Sequence, residues 1–136
     1  MSNFRQHIKD NPLEELKIFS GKFISIGLLV KYPERFEEYL RDLEINSYDI
    51  KNFEVNIAVP DNESEFQAIS KVIENTPVEV RVVKLPYEYL NAMKSHNIMI
   101  KELSDQNTYF YINNSDRCRF SSKNWDIIIK QYIGSV

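Results

Sequence analysis

Apolar residues recur along this chain in two alternating rhythms. "KFISIGLLV", from Lys22 to Val30, is a continuous apolar run whose length and β-branching predict a strand buried on both faces. After Pro33 the rhythm changes, and Phe36, Tyr39, Leu40 and Leu43 recur at helical spacing with Glu and Arg on the other face. "NFEVNIAVP", from Asn52 to Pro60, alternates Phe53, Val55, Ile57 and Val59 and predicts a second strand. The next helix carries Phe66, Ile69, Val72 and Ile73. Ser64-Glu65-Phe66-Gln67 reads as its capping box, and Thr76-Pro77 as its stop, because the residue before a proline avoids helical angles. "VEVRVVKL", from Val78 to Leu85, predicts a third strand by its alternation and valine content. Tyr89, Leu90, Met93 and Ile100 outline a further helix, and Thr108 to Ile112 a fourth strand. Trp125, Ile128, Ile129 and Tyr132 share one face of a last helix, capped from Ser121 or Ser122. Near the start, Asn11-Pro12-Leu13-Glu14 reads as a helix beginning and Gly21 as that helix's end.

Strand and helix thus alternate from Lys22 onward. That order predicts an α/β fold with a mostly parallel open sheet flanked by helices. The 136 residues suit one domain, with 1–21 as a helical extension and 22–136 as the alternating part.

Charge and composition narrow the partners. A net charge of −3 without a basic run argues against nucleic acid and anionic membranes. No apolar run reaches the roughly 18 residues of a membrane span, and the polar start predicts no signal peptide. The single cysteine, Cys118, excludes an internal disulfide and a cysteine-based zinc cluster, so a cytoplasmic location is expected.

Chemistry in an open α/β sheet collects beyond the carboxyl ends of the strands. Four stretches fall there: Lys31 to Arg35, Pro60 to Glu63, Pro86 to Glu88, and Asn113 to Asp116. The second and fourth are rich in side-chain oxygen. Glycine occurs only 3 times, and neither GxGxxG nor GxxxxGK[ST] is present, so the usual backbone phosphate cradles are missing. A nucleotide held here would need another counter-charge, such as Mg²⁺ or Mn²⁺ bound by oxygen ligands.

The order of these segments resembles the N-terminal, donor-binding half of a GT-A glycosyltransferase of the family 2-like kind. That half opens with a buried strand and a "TRPE"-like turn into a helix, and here "KYPERFEEYLRDL" follows the first strand. Its second strand ends in an acidic residue beside the nucleotide base, where "VNIAVPD" ends at Asp61. Its later strand ends in an Asp-x-Asp metal motif followed by a Trp-Asp pair, where this chain has "YFYINNSDRCRFSSKNWDIIIKQYI". The resemblance runs from about Lys22 to Ile133. It implies a nucleotide-diphosphate sugar as ligand, with Asp116 and Asn114 holding Mn²⁺ or Mg²⁺, Lys31 and Arg35 near the diphosphate, and Asp61 at the base and ribose. Asn114 stands where the motif has its first Asp, which leaves one carboxylate for the cation. GT-A domains also continue past this helix to the acceptor side and its catalytic base, for which no residue here is assigned. A donor-side half, incomplete for transfer, is therefore expected, and the acceptor is unknown.

Blander roles stand beside these. Asn113 to Ser115 would serve equally as a turn, Lys31 and Arg35 as solvated charges, and Glu34 as first-turn helix chemistry. Trp125 reads as core, Cys118 as a small residue, and His7 and His96 as surface or structural positions. Asp126 would orient the turn before it or favour the helix start. The alternative function is a non-catalytic module of the same fold that binds a partner, or a second copy of itself through an edge strand. A response-regulator or flavodoxin-like domain shares the rhythm, but Lys31-Tyr32 stands where a response regulator has an acidic pair.

Overall fold

The computed structural model describes residues 22–104 and 108–131. The helix expected from Asn11 to Gly21, and Tyr132, lie outside them.

Within the described residues, strand β1 (Ile24–Leu29) leads to helix α1 (Pro33–Asn46), β2 (Phe53–Pro60), α2 (Glu63–Glu74), β3 (Val80–Leu85), α3 (Ala92–Glu102), β4 (Phe110–Asn113) and the short α4 (Trp125–Lys130). The four strands form one sheet in the order β3-β2-β1-β4, and every pairing is parallel. Across the middle of the sheet, Gly27 of β1 stands opposite Asn56 of β2 and Asn113 of β4.

Alternation along the strands sorts the residues onto two faces. One face carries Ile24, Ile26 and Leu28 with Phe53, Val55, Ile57 and Val59. It packs against Phe36, Tyr39, Leu40 and Leu43 of α1, Ile69 and Val72 of α2, and Trp125 of α4. The other face is covered by α3, where Met99 meets Ala58 and Leu85. Right-handed crossovers that run in opposite directions along a sheet put their helices on opposite faces. The path goes outward from β1 to β3, then back past β1 to β4, so α1 and α2 share one face and α3 takes the other.

The second face is unusually polar for a buried surface. Ser25, Glu54 and Asn56 are buried there. Ser25 Oγ donates to Glu54 Oε1 at 2.8 Å, and Arg81 Nε lies 3.1 Å from Glu54 Oε2. Asn56 Nδ2 donates to Ser104 Oγ at 3.0 Å. Buried polar groups are tolerated when paired in this way. The pairing explains why β2 alternates like a half-exposed strand although all 8 of its residues are buried.

Three helix details differ from the sequence expectation. Helix α2 starts at Glu63 rather than after Ser64. Asn62, in extended conformation, accepts from Glu65 N at 3.2 Å and from Ser64 Oγ at 2.8 Å, so Asn62 is the cap. Helix α3 starts after Asn91 and buries Ser95, His96 and Met99, while Met93 is 77% and Ile100 46% exposed. Tyr89 belongs to a preceding 3₁₀ turn and Leu90 to its end. The apolar stripe misjudged the phase because α3 lies on the polar face of the sheet. Helix α4 takes no cap from Ser121 or Ser122. It follows Asn124, which has φ 58° and makes no side-chain cap bond. Asparagine is among the few residues that enter this left-handed region readily.

Candidate functional site

The order β3-β2-β1-β4 reverses between β1 and β4, because connections from β1 lead one way and β4 arrives from the other. Such a switch point opens a crevice beyond the carboxyl ends of the two strands. A cleft of about 330 Å³ occupies it here. Lys31, Tyr32 and Arg35 border it from β1 and α1, and Asn114 to Arg117 from β4. Ala92 and His96 border it from α3.

Local sequence builds each side. Tyr32 is extended, as the residue before a proline prefers, and Pro33 occupies the first helical position. Arg35 therefore falls in the first turn of α1, with its guanidinium over the Tyr32 ring at 4.8 Å. On the β4 side, Asn114 N continues the ladder to Gly27 O at 3.0 Å. The chain then turns on its own side chains. Asn114 Oδ1 accepts from Ser115 N at 2.9 Å, and Ser115 Oγ from Arg117 N at 3.3 Å. Asn114 Nδ2 donates to Tyr39 Oη at 2.6 Å, tying the turn to α1. Arg119 strengthens that tie. It donates to the Asp116 carbonyl and pairs with Asp42 at 2.8 Å and Glu38 at 3.4 Å.

Asp116 is the buried charge of the site, at 5% exposure. Its Oδ1 lies 3.8 Å from Arg35 Nη1. Burial pushes its carboxyl above the usual range, and Arg35, Arg119 and Arg117 pull it back only in part. A carboxylate disfavoured in its charged form and open to a cleft is the kind of group that functional sites hold.

Lys31, Arg35, Asn114 and Asp116, all singled out from sequence, thus border one cleft. Asp61 does not border it. It stands exposed beyond β2, with its N–H donated to Leu85 O at 2.9 Å. Arg117 and His96 were not foreseen. Arg117 follows directly on the Asn-Ser-Asp stretch. His96 left no sequence signal once the phase of α3 was misjudged.

His96 is 6% exposed and stands on α3 above Gly27. Its Nδ1 lies 3.2 Å from Tyr111 Oη, and the two rings meet edge to face at 6.2 Å. Burial lowers the His96 pKa and raises that of the Tyr111 phenol to about 12.

The donor set for a cation is small. Asp116 offers a carboxylate, and Asn114 an amide oxygen already engaged by Ser115 N. Among the described residues, no three His, Cys, Asp or Glu side chains gather into a metal cluster. The residues therefore fit a hard cation only where a ligand supplies further oxygens. The cleft already has its own positive charges in Lys31, Arg35 and Arg117, set against the one carboxylate of Asp116. Compared with family models, curated proteins and solved structures, the chain gives no match.

Proposed function

We propose that the switch-point cleft binds the diphosphate of a nucleotide-diphosphate sugar, and that the chain is the donor side of a GT-A-like glycosyltransferase. The observation that carries this is the convergence of Lys31, Arg35 and Arg117 beside Asp116 and Asn114 at the reversal of strand order. Guanidinium groups suit phosphate oxygens by geometry as well as charge. Arg35 would exchange its 3.8 Å contact with Asp116 for a phosphate oxygen. Asp116, with Asn114 assisting, would hold Mn²⁺ or Mg²⁺ against the same diphosphate. Such a cation would neutralise charge on the departing diphosphate. Asp61, one strand away, would meet the base and ribose. No residue is assigned as base for an acceptor hydroxyl, so transfer itself lies beyond this proposal.

The test is thermal unfolding of the chain with UDP, GDP and their common sugar conjugates, with and without Mn²⁺. A ligand present at a hundred times its Kd stabilises the folded state by about 2.7 kcal/mol, enough to raise Tm by several degrees. Arg35→Ala should weaken binding about ten-fold or more, the scale of one charge-assisted hydrogen bond. Unchanged Tm across the whole panel would sink the proposal. The alternative, a non-catalytic module pairing through a sheet edge, draws on β3, which pairs only with β2 among the described residues. Sedimentation that reports a dimer without nucleotide binding would favour it.

A further inference from the structure

The cleft has two unlike walls. Arg35 and Arg117 lie toward α1, where a second groove containing Glu34, Glu38 and Arg119 adjoins and shares both arginines. The α3 wall carries Ala92 and His96. Phosphates drawn to the arginines would leave the uncharged remainder of a ligand against α3.

We propose that His96 reads that uncharged part by donating its Nε2–H to a ligand oxygen, with Tyr111 and Gly27 fixing the ring. On the nucleotide-sugar reading of the cleft, on which this rests, the oxygen is a sugar hydroxyl. Tyr111 Oη has one hydrogen-bond partner among the described residues, His96 Nδ1. A phenol that keeps its proton satisfies both groups by donating to Nδ1. The imidazole proton then sits on Nε2. With Nδ1 turned to Tyr111, Nε2 lies on the far side of the ring, and His96 is among the residues that line the cleft. Nε2 has no hydrogen-bond partner among the described residues. Gly27 makes the arrangement possible, since a Cβ there would stand 2.0 Å from Tyr111 Oη and 2.8 Å from His96 Nδ1. Tyr111 is a positioning residue, because it acts through the ring it orients.

Two measurements test this on the full chain. In the first, calorimetry compares UDP with UDP-glucose and UDP-N-acetylglucosamine, and GDP with GDP-mannose, for the parent, His96→Ala, His96→Gln and Tyr111→Phe. His96→Ala should leave nucleoside diphosphate affinity within about two-fold and weaken the sugar conjugate about ten-fold, the scale of one hydrogen bond. His96→Gln, which keeps an N–H near the Nε2 position, should restore most of the loss, and Tyr111→Phe should fall between. Equal weakening of both ligands, or of neither, would overturn the role of His96 while leaving the cleft as a diphosphate site. No binding by any probe would overturn the reading of the cleft and this inference together. In the second, two-bond ¹⁵N–¹H spectra of the ligand-free parent should find the His96 proton on Nε2. A proton on Nδ1 would overturn the inference whatever the variants do.

Discussion

A methyl group at Gly27 would meet the ends of two side chains, Tyr111 and His96, rather than backbone. The paired rings must shift to admit it, so Gly27→Ala should cost the fold about 1–3 kcal/mol, the usual range for overpacking. The larger effect should fall on the site. We expect a melting temperature lowered by a few degrees together with ligand affinity reduced at least as far as in Tyr111→Phe, measured by calorimetry. Nothing in "ISIGLL" announces this, because a strand glycine looks the same whether it relieves packing or admits a ligand-facing ring. His96 carries a second consequence. Its pKa is lowered by burial from the ordinary 6.5, so the folded state prefers the neutral ring. The associated stability is present above pH 6.5 and is lost as pH falls through the folded value. Melting curves between pH 7.5 and about pH 5 should therefore fall more steeply for the parent than for His96→Gln.

Among the elements, α4 is short yet fixes a distant loop. Asp126, in its first turn, is fully buried and accepts from Tyr48 N at 2.7 Å, Asp49 N at 3.0 Å and Asn52 Nδ2 at 2.9 Å. These donors lie in the connection between α1 and β2. Asp126→Ala would strand two backbone donors in the interior and should destabilise the protein by about 3 kcal/mol, with Asp126→Asn costing less. Urea unfolding followed by Trp125 fluorescence would measure both, since Trp125 is buried beside Phe53 and Phe120 and is the chain's one tryptophan. The sequence expectation gave Asp126 only a local task, as a turn or helix-start residue. Its partners are more than seventy positions away along the chain, beyond any periodic pattern. Helix α1 was readable because it lies on the apolar face, where its stripe matches what it buries. Helix α3 was not, because its buried residues include Ser95 and His96.

For the whole molecule, overall charge and local charge point in opposite directions. The chain carries −3, yet its switch-point cleft gathers Lys31, Arg35 and Arg117 around one carboxylate. A phosphate-bearing ligand drawn in by that local field should bind more weakly as salt rises. Raising NaCl from about 50 mM to about 500 mM should reduce nucleoside diphosphate affinity about ten-fold, because the screening length shrinks to a few ångströms. Titration of fluorescence or heat at the two salt levels checks this. Unchanged affinity would mean that the arginines do not touch the ligand.

The sequence by itself determined where strands and helices alternate, because hydrophobic period reports which side of each element meets the core. It also put Lys31, Arg35, Asn114 and Asp116 at strand ends, because position along an element is a local property. Only the tertiary structure decided that β4 joins the sheet beside β1 rather than beside β3. The same return path laid α3 across the opposite face. The length of a crossover does not encode the side on which it returns. That choice created the switch point, brought Arg117 and His96 to the same cleft, and left Asp61 beyond a neighbouring strand. Pairing of Glu54 with Ser25 and Arg81 lets the polar face under α3 stay buried, so the cleft has a second wall.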